Sequence, residues 1–218
     1  MIGPGNVWGS WNAEPQIAVP LALAAALYGA AVARLWRRAG IGSGIRPWRA
    51  AAWYAGLLVL AIALLSPVDA LAETLFAAHM GQHLMLILAA PPLLLAGAPQ
   101  VALPWLLSAR RRRALLGWWH HSAPERALRA LGSPLPAVAL QSAALWFWHL
   151  PGAYTAALES EPLHALEHVT FLGTALLFWW AVLAPAAGRR HQDYGLRVLS
   201  VFVVMLQGRA LAALLMFS

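Results

Sequence analysis

Two imidazole pairs stand out in a chain that otherwise carries few polar groups. "HMGQH" places His79 and His83 four residues apart, and "HALEH" does the same for His164 and His168. On a helix, residues four apart share one face with Cβ atoms about 5–6 Å apart. Each pair can therefore aim two ring nitrogens at one point, and two such faces on parallel helices can aim four. Imidazole nitrogen suits copper, zinc, iron and nickel. The chain has no cysteine, so any metal must be held by histidine, methionine or carboxylate. Gln82 and Glu167 fall beside the pairs, where they can orient ring N–H groups. His149, in "WFWHLP", ends an apolar run and is a fifth candidate ligand. Met80 is a soft donor, but it points beyond the far edge of its pair. A single histidine in such a place reads best as an interhelical hydrogen bonder. Two matched pairs and a third helix end favour a metal or cofactor site.

The helices that must position these rings belong to a membrane protein. The 218 residues are 61% hydrophobic and 11% charged, whereas soluble domains carry about 25% charged and 45–50% apolar residues. Roughly 20 apolar residues make a spanning helix. Six segments qualify: about 15–36, 48–66, 71–96, 134–150, 162–184 and 196–217. The expected fold is a single all-α domain over residues 1–218, a polytopic bundle of about six transmembrane helices. Ser133-Pro134 and Glu161-Pro162 put proline where a first helical turn tolerates it. Pro91-Pro92 should kink or end the third span. The N-terminus has no positive n-region, so no cleavable signal peptide is expected.

Net charge is +7, and every basic residue is arginine. Apart from Arg209, the arginines lie in or beside the loops between apolar runs, which argues against a nucleic-acid reading and points to topology and lipid headgroups. Arg34, Arg37, Arg38, Arg46 and Arg49 follow the first span. Arg110 to Arg113, Arg126 and Arg129 follow the third, and Arg189, Arg190 and Arg197 the fifth. The other loops hold Glu14, Asp69, Glu73, Glu159 and Glu161. The positive-inside rule then puts the arginine loops in the cytoplasm and the N-terminus outside. Trp8, Trp11, Trp146 and Trp148 would mark the outer interface, and Trp36, Trp48, Trp179 and Trp180 the inner one. The basic loop, about 98–133, mixes Arg with Leu and Trp. It is expected to form helices on the cytoplasmic surface, bound to anionic membrane lipid; His120 and His121 fall there without a role. This orientation gathers His79, His83, His149, His164 and His168 at the outer face. Arg209 lies about 20 Å into the last span from its inner end. It either pairs with Glu167 or snorkels to the outer interface.

Three specific chemistries are candidates for such a site. "HALEH" matches the H-x-x-E-H zinc-peptidase pattern, which needs a third ligand and water access. Haem held by one histidine from each pair is chemically sound, but leaves two histidines surplus. Membrane di-iron oxygenases also use histidine boxes, normally on the cytoplasmic side.

"AHMGQHLMLILAAPPLLLAGAP" and "WFWHLPGAYTAALESEPLHALEHVTFLGTALLFWW" resemble the polytopic CtaG family. Its members are membrane assembly factors for bacterial cytochrome c oxidase, distinct from the single-span copper chaperone that shares the name. "WNAEP" and "LLSPVDALAETLFAAHM" also resemble family segments, so the likeness covers nearly the whole chain. It implies a multi-pass protein of the bacterial plasma membrane that helps produce active oxidase by handling copper. It also implies a metallochaperone rather than an enzyme, with oxidase subunits or other assembly factors as partners. The family's motif histidines fall on His79, His83, His149, His164 and His168. The family continues past a segment like "VVMLQGRALAALLMFS" into another outer loop and a final helix, whereas this sequence ends at Ser218. Either this is a short member, or a final helix and any ligand on it lie beyond that point.

The charge asymmetry makes a direct prediction. A topology reporter fused between Arg110 and Arg129 should be active only in the cytoplasm, and one fused between Pro151 and Glu159 only outside. The reverse pattern would move the histidines to the cytoplasmic face.

Overall fold

The computed structural model describes Trp11, residues 14–183 and residues 192–217. Trp8, Ala184, Arg189 and Arg190 lie outside the described residues. Every regular element among the described residues is helical. Five helical stretches are long and apolar enough to cross a membrane: Pro15–Ala39, Pro47–Leu65, Phe76–Leu106, Glu161–Leu183 and Tyr194–Leu214. Ala123–Leu131 and Pro134–Trp148, bent by 76°, make a sixth if counted as one span. The all-α reading with about six spans therefore holds. Backbone proximity divides the chain into two compact units, Met1–His121 and Ser122–Ser218.

In the first unit, α1 (Pro15–Ala39), α2 (Pro47–Leu65) and α3 (Pro67–Ala72) each begin with proline at an N-terminal helical position, where its missing N–H is not needed. The hydroxyl of Ser66 caps α3 by accepting from the Val68 N–H at 3.1 Å. This start signal corrects the expected 71–96 span. Leu71 and Ala72 close α3, and the next helix, α4 (Phe76–Leu84), starts after a break. A π-turn, Met85–Ala89, leads from α4 into α5 (Ala90–Ala96).

The π-turn explains how Pro91-Pro92 is accommodated. A proline ring strikes the carbonyl four residues back and offers that carbonyl no N–H. Here the helix is widened just before the prolines, and the Ala90 N–H bonds to the Met85 carbonyl five residues back. The chain then passes Ala98, whose φ of 49° breaks the helix. It continues through α6 (Pro99–Ala102) and a 3-10 turn, Leu103–Leu106, so the apolar stretch runs beyond the expected end at Ala96. Helix α7 (Ala109–Trp119) follows, capped by the Ser108 hydroxyl.

The core of this unit is built on Tyr28, Ala31, Val32, Leu35, Ile45, Ala98 and Ala102. Tyr28 stacks on Trp53 with centroids 4.8 Å apart and donates its hydroxyl proton to the Gly97 carbonyl at 2.7 Å. Gly56 lets α2 approach α5: a Cβ there would lie 2.9 Å from Leu94 Cγ and 3.0 Å from Leu94 N.

The second unit holds α8 (Ala123–Leu131), α9 (Pro134–Trp148), α10 (Pro151–Glu159), α11 (Glu161–Leu183) and α12 (Gln192–Phe217). The expected basic surface loop is helical in both α7 and α8. Helix α9 packs on α11 and α12 around Ala137, Phe178 and Ala181. Polar side chains tie these helices together. The Thr174 hydroxyl donates to Gln141 Oε1 at 3.0 Å. Gln207 accepts from Trp146 Nε1 at 3.0 Å and donates to Ser142 Oγ at 2.9 Å.

The α2–α5 contact can be tested with two glycines. Gly56→Ala should destabilise the detergent-purified protein by about 1–3 kcal/mol, because overpacking forces backbone to move. Gly81→Ala, with no heavy atom within 4 Å of its added Cβ, should be neutral or stabilising by up to about 1 kcal/mol. Thermal unfolding of the two variants reads this difference; equal losses would contradict the close approach.

Candidate metal centre

Helix α4 carries the first histidine pair. Helical spacing puts His79 and His83 on one face, with ring centroids 4.3 Å apart. Each ring is buried to 4% exposure, and a nitrogen of one lies within 4.8 Å of a nitrogen of the other. Two nitrogens that share an ion at about 2 Å each are separated by at most about 4 Å. The pair is thus near a chelating geometry without backbone movement.

Gln82, between these histidines in sequence, is fully buried. Its amide nitrogen donates to the Ala63 carbonyl at 2.8 Å and to Asp69 Oδ1 at 2.7 Å. Both acceptors are oxygens, so the amide orientation is fixed. Its N–H groups hold α4 against α2 and α3, and its buried Oε1, the atom that could orient a ring N–H, has no hydrogen-bond partner among the described residues. Asp69 is the residue that sequence reasoning missed. It read as an acidic residue of an outer loop, whereas the Ser66-Pro67 start makes it the first-turn acid of α3. That Ser-Pro-x-Asp pattern was the available signal.

Helix α11 carries the second pair. His164 and His168 are partly buried, again with centroids 4.3 Å apart. Glu167 is buried to 1% exposure, and a carboxylate oxygen lies within 4.8 Å of a His164 nitrogen. His149 caps α9, and its Nδ1 lies 2.7 Å from the Leu145 carbonyl. A carbonyl only accepts, so Nδ1 carries the proton, and of the two ring nitrogens Nε2 is the one with a lone pair. The His149 ring lies 6.1 Å from that of Phe171, a buried residue of α11. The second unit therefore places His149 beside the helix that carries His164 and His168.

The pair between Glu167 and Arg209 is not formed. Glu167 is buried, while Arg209 is exposed on α12 and makes no ion pair among the described residues. The helical depth of Arg209 was readable from sequence, but its facing depends on how α12 packs. Chemically, each unit offers nitrogen donors with a carboxylate or amide close by. Such a donor set fits Cu or Zn better than Mg or Ca, which prefer all-oxygen shells.

Residues 26–218 match the family model described as cytochrome c oxidase caa3 assembly factor (Caa3_CtaG). Two curated relatives are uncharacterized proteins of Mycobacterium bovis and Mycobacterium tuberculosis. Each is 28% identical to this chain, in a match covering 89% of it and 30% of the relative. The chain thus spans less than a third of the length of these relatives. No solved structure matches it. The family match takes in α2 to α12 and every histidine discussed above, and the chain belongs to the Caa3_CtaG family of cytochrome c oxidase caa3 assembly factors.

Proposed function

We propose that this chain serves assembly of cytochrome c oxidase by binding copper at its outer membrane face. His79, His83, His164 and His168 are the ligands, with His149 as a fifth. The observation that carries this reading is the repeated pair: two apolar helices each hold two imidazoles with centroids 4.3 Å apart. Interhelical hydrogen bonding needs one polar group on a face, whereas chelation needs two nitrogens converging; the His79 and His83 nitrogens approach within 4.8 Å, and the same close ring pairing recurs at His164 and His168 on α11. Family membership supplies the oxidase. The protein acts as a metallochaperone, not a catalyst, in the bacterial plasma membrane. Its arginine-rich loops lie on cytoplasmic lipid, and its partners are oxidase subunits or other assembly factors.

The test separates ligation from hydrogen bonding. His83→Ala and His168→Ala should each lower copper affinity by more than the roughly 10–100-fold that loss of an outer-sphere partner costs. Insertion should be unchanged, since it depends on apolar spans and loop arginines. Cells with either variant should hold oxidase subunits but little oxidase activity, and excess copper should partly restore it by mass action. His168→Gln keeps a polar group but no ring nitrogen, so it should behave like His168→Ala. Full oxidase activity in His168→Gln at normal abundance would remove any copper role for helix α11.

The bond between Gln82 and Asp69 makes a second prediction. Asp69→Asn keeps an oxygen acceptor for the Gln82 amide and should bind copper normally, whereas Asp69→Leu should weaken binding by about tenfold, the low end for an outer-sphere partner. Weak binding in both variants would instead make the Asp69 charge itself a ligand. Isothermal titration of the purified variants measures this.

A further inference from the structure

Helix α12 is the least covered of the spanning helices: 11% of its apolar window is buried, against 28% for α11. Gly195, Val198, Phe202, Met205, Arg209 and Ala212 recur along it at alternating intervals of three and four residues, and all are exposed. That spacing is the seam by which one helix seats on another. The small residues at its ends allow backbones to approach. The packing of α12 within its own unit uses other positions, among them Val201, Val204 and Gln207.

An apolar seam alone would simply face lipid, but Arg209 argues against that. Charged residues inside hydrocarbon are costly and nearly always meet an opposite charge or a water-lined cavity. Arg209 is exposed and has no ion pair among the described residues. Snorkelling is poorly served by its position. With the arginine loops inside, as the positive-inside rule expects, α12 runs outward, and the end of the span at Leu214 lies about 8 Å beyond Arg209 at 1.5 Å per residue. Helical Cβ atoms tilt toward the N-terminus, so the side chain starts out pointing away from the nearer, outer interface.

We propose that this seam docks a membrane helix of another protein, and that the docked helix carries an aspartate or glutamate that pairs with Arg209. Charge complementarity specifies the carboxylate. The family specifies another protein, because an assembly factor must hold what it assembles. A second copy of α12 offers no acid on the seam, since its one acidic residue, Asp193, falls out of register. The proposal is independent of copper binding.

The experiment replaces Met205, one turn before Arg209, with the photo-crosslinker p-benzoylphenylalanine in the full chain in its own membranes. Adducts are digested and sequenced by mass spectrometry. The expected adduct joins Met205 to an apolar segment of another protein that has Asp or Glu within two turns of the attachment point. Adding Arg209→Gln should cut the yield, normalised to chain abundance, by about threefold or more, the size of one intramembrane polar contact. Arg209→Lys, which keeps the charge, should retain most of it. Adducts to lipid only, to a second copy or to another segment of the same chain would overturn the proposal. So would a partner segment without a carboxylate, or a yield that Arg209→Gln leaves unchanged.

Discussion

A helix that ends in or near hydrocarbon leaves its last carbonyls without intrahelical donors, and no water is at hand to meet them. This constraint organises both units. The Ile62 and Ala63 carbonyls near the end of α2 receive the Ser66 hydroxyl and the Gln82 amide. The Gly97 carbonyl beyond α5 receives the Tyr28 hydroxyl, and the Leu106 carbonyl receives Arg34. In the second unit, Leu145 near the end of α9 receives His149, and Val182 near the end of α11 receives Arg197. Most of these donors come from a different helix. Satisfying a helix end therefore also fixes which helix lies beside it.

The same constraint shapes the donor set. Because His149 Nδ1 donates to a carbonyl, the ring has one tautomer. Because the Gln82 amide donates to Ala63 and Asp69, α4 cannot rotate about its axis without breaking two bonds. His79 and His83 are thereby held on the buried face. A chelating pair gains most from such preorganisation, since a ring that wanders must be reordered at each binding event. Orientation of the imidazoles is thus supplied by the polar groups that the membrane forces onto helix ends.

The histidine pairs were legible in the sequence, because the four-residue spacing on an apolar helix leaves little freedom. The long spans were legible for the same reason that hydropathy works at all: a backbone in lipid has few other conformations. The short helices α3 and α10 were not found, although Ser66-Pro67 and Leu150-Pro151 mark their starts, because each is too short to show a helical period. The π-turn was not found either. Pro91-Pro92 announces a disturbance, but whether the helix breaks or widens is decided by contacts of α5 with α2. The role of Asp69 and the facing of Arg209 needed tertiary packing, which spacing along one helix does not encode.

Insertion and chemistry are carried by different residues. Arginine loops and apolar faces set which way a chain sits in the membrane. The histidines contribute little to either determinant, since a few neutral rings barely alter the hydropathy of a 20-residue span. A substitution at His83 or His168 can therefore remove an imidazole while leaving the bundle in place. A substitution at Gln82 reaches both, because its two hydrogen bonds join the helix end that the membrane requires to the helix that carries the donors.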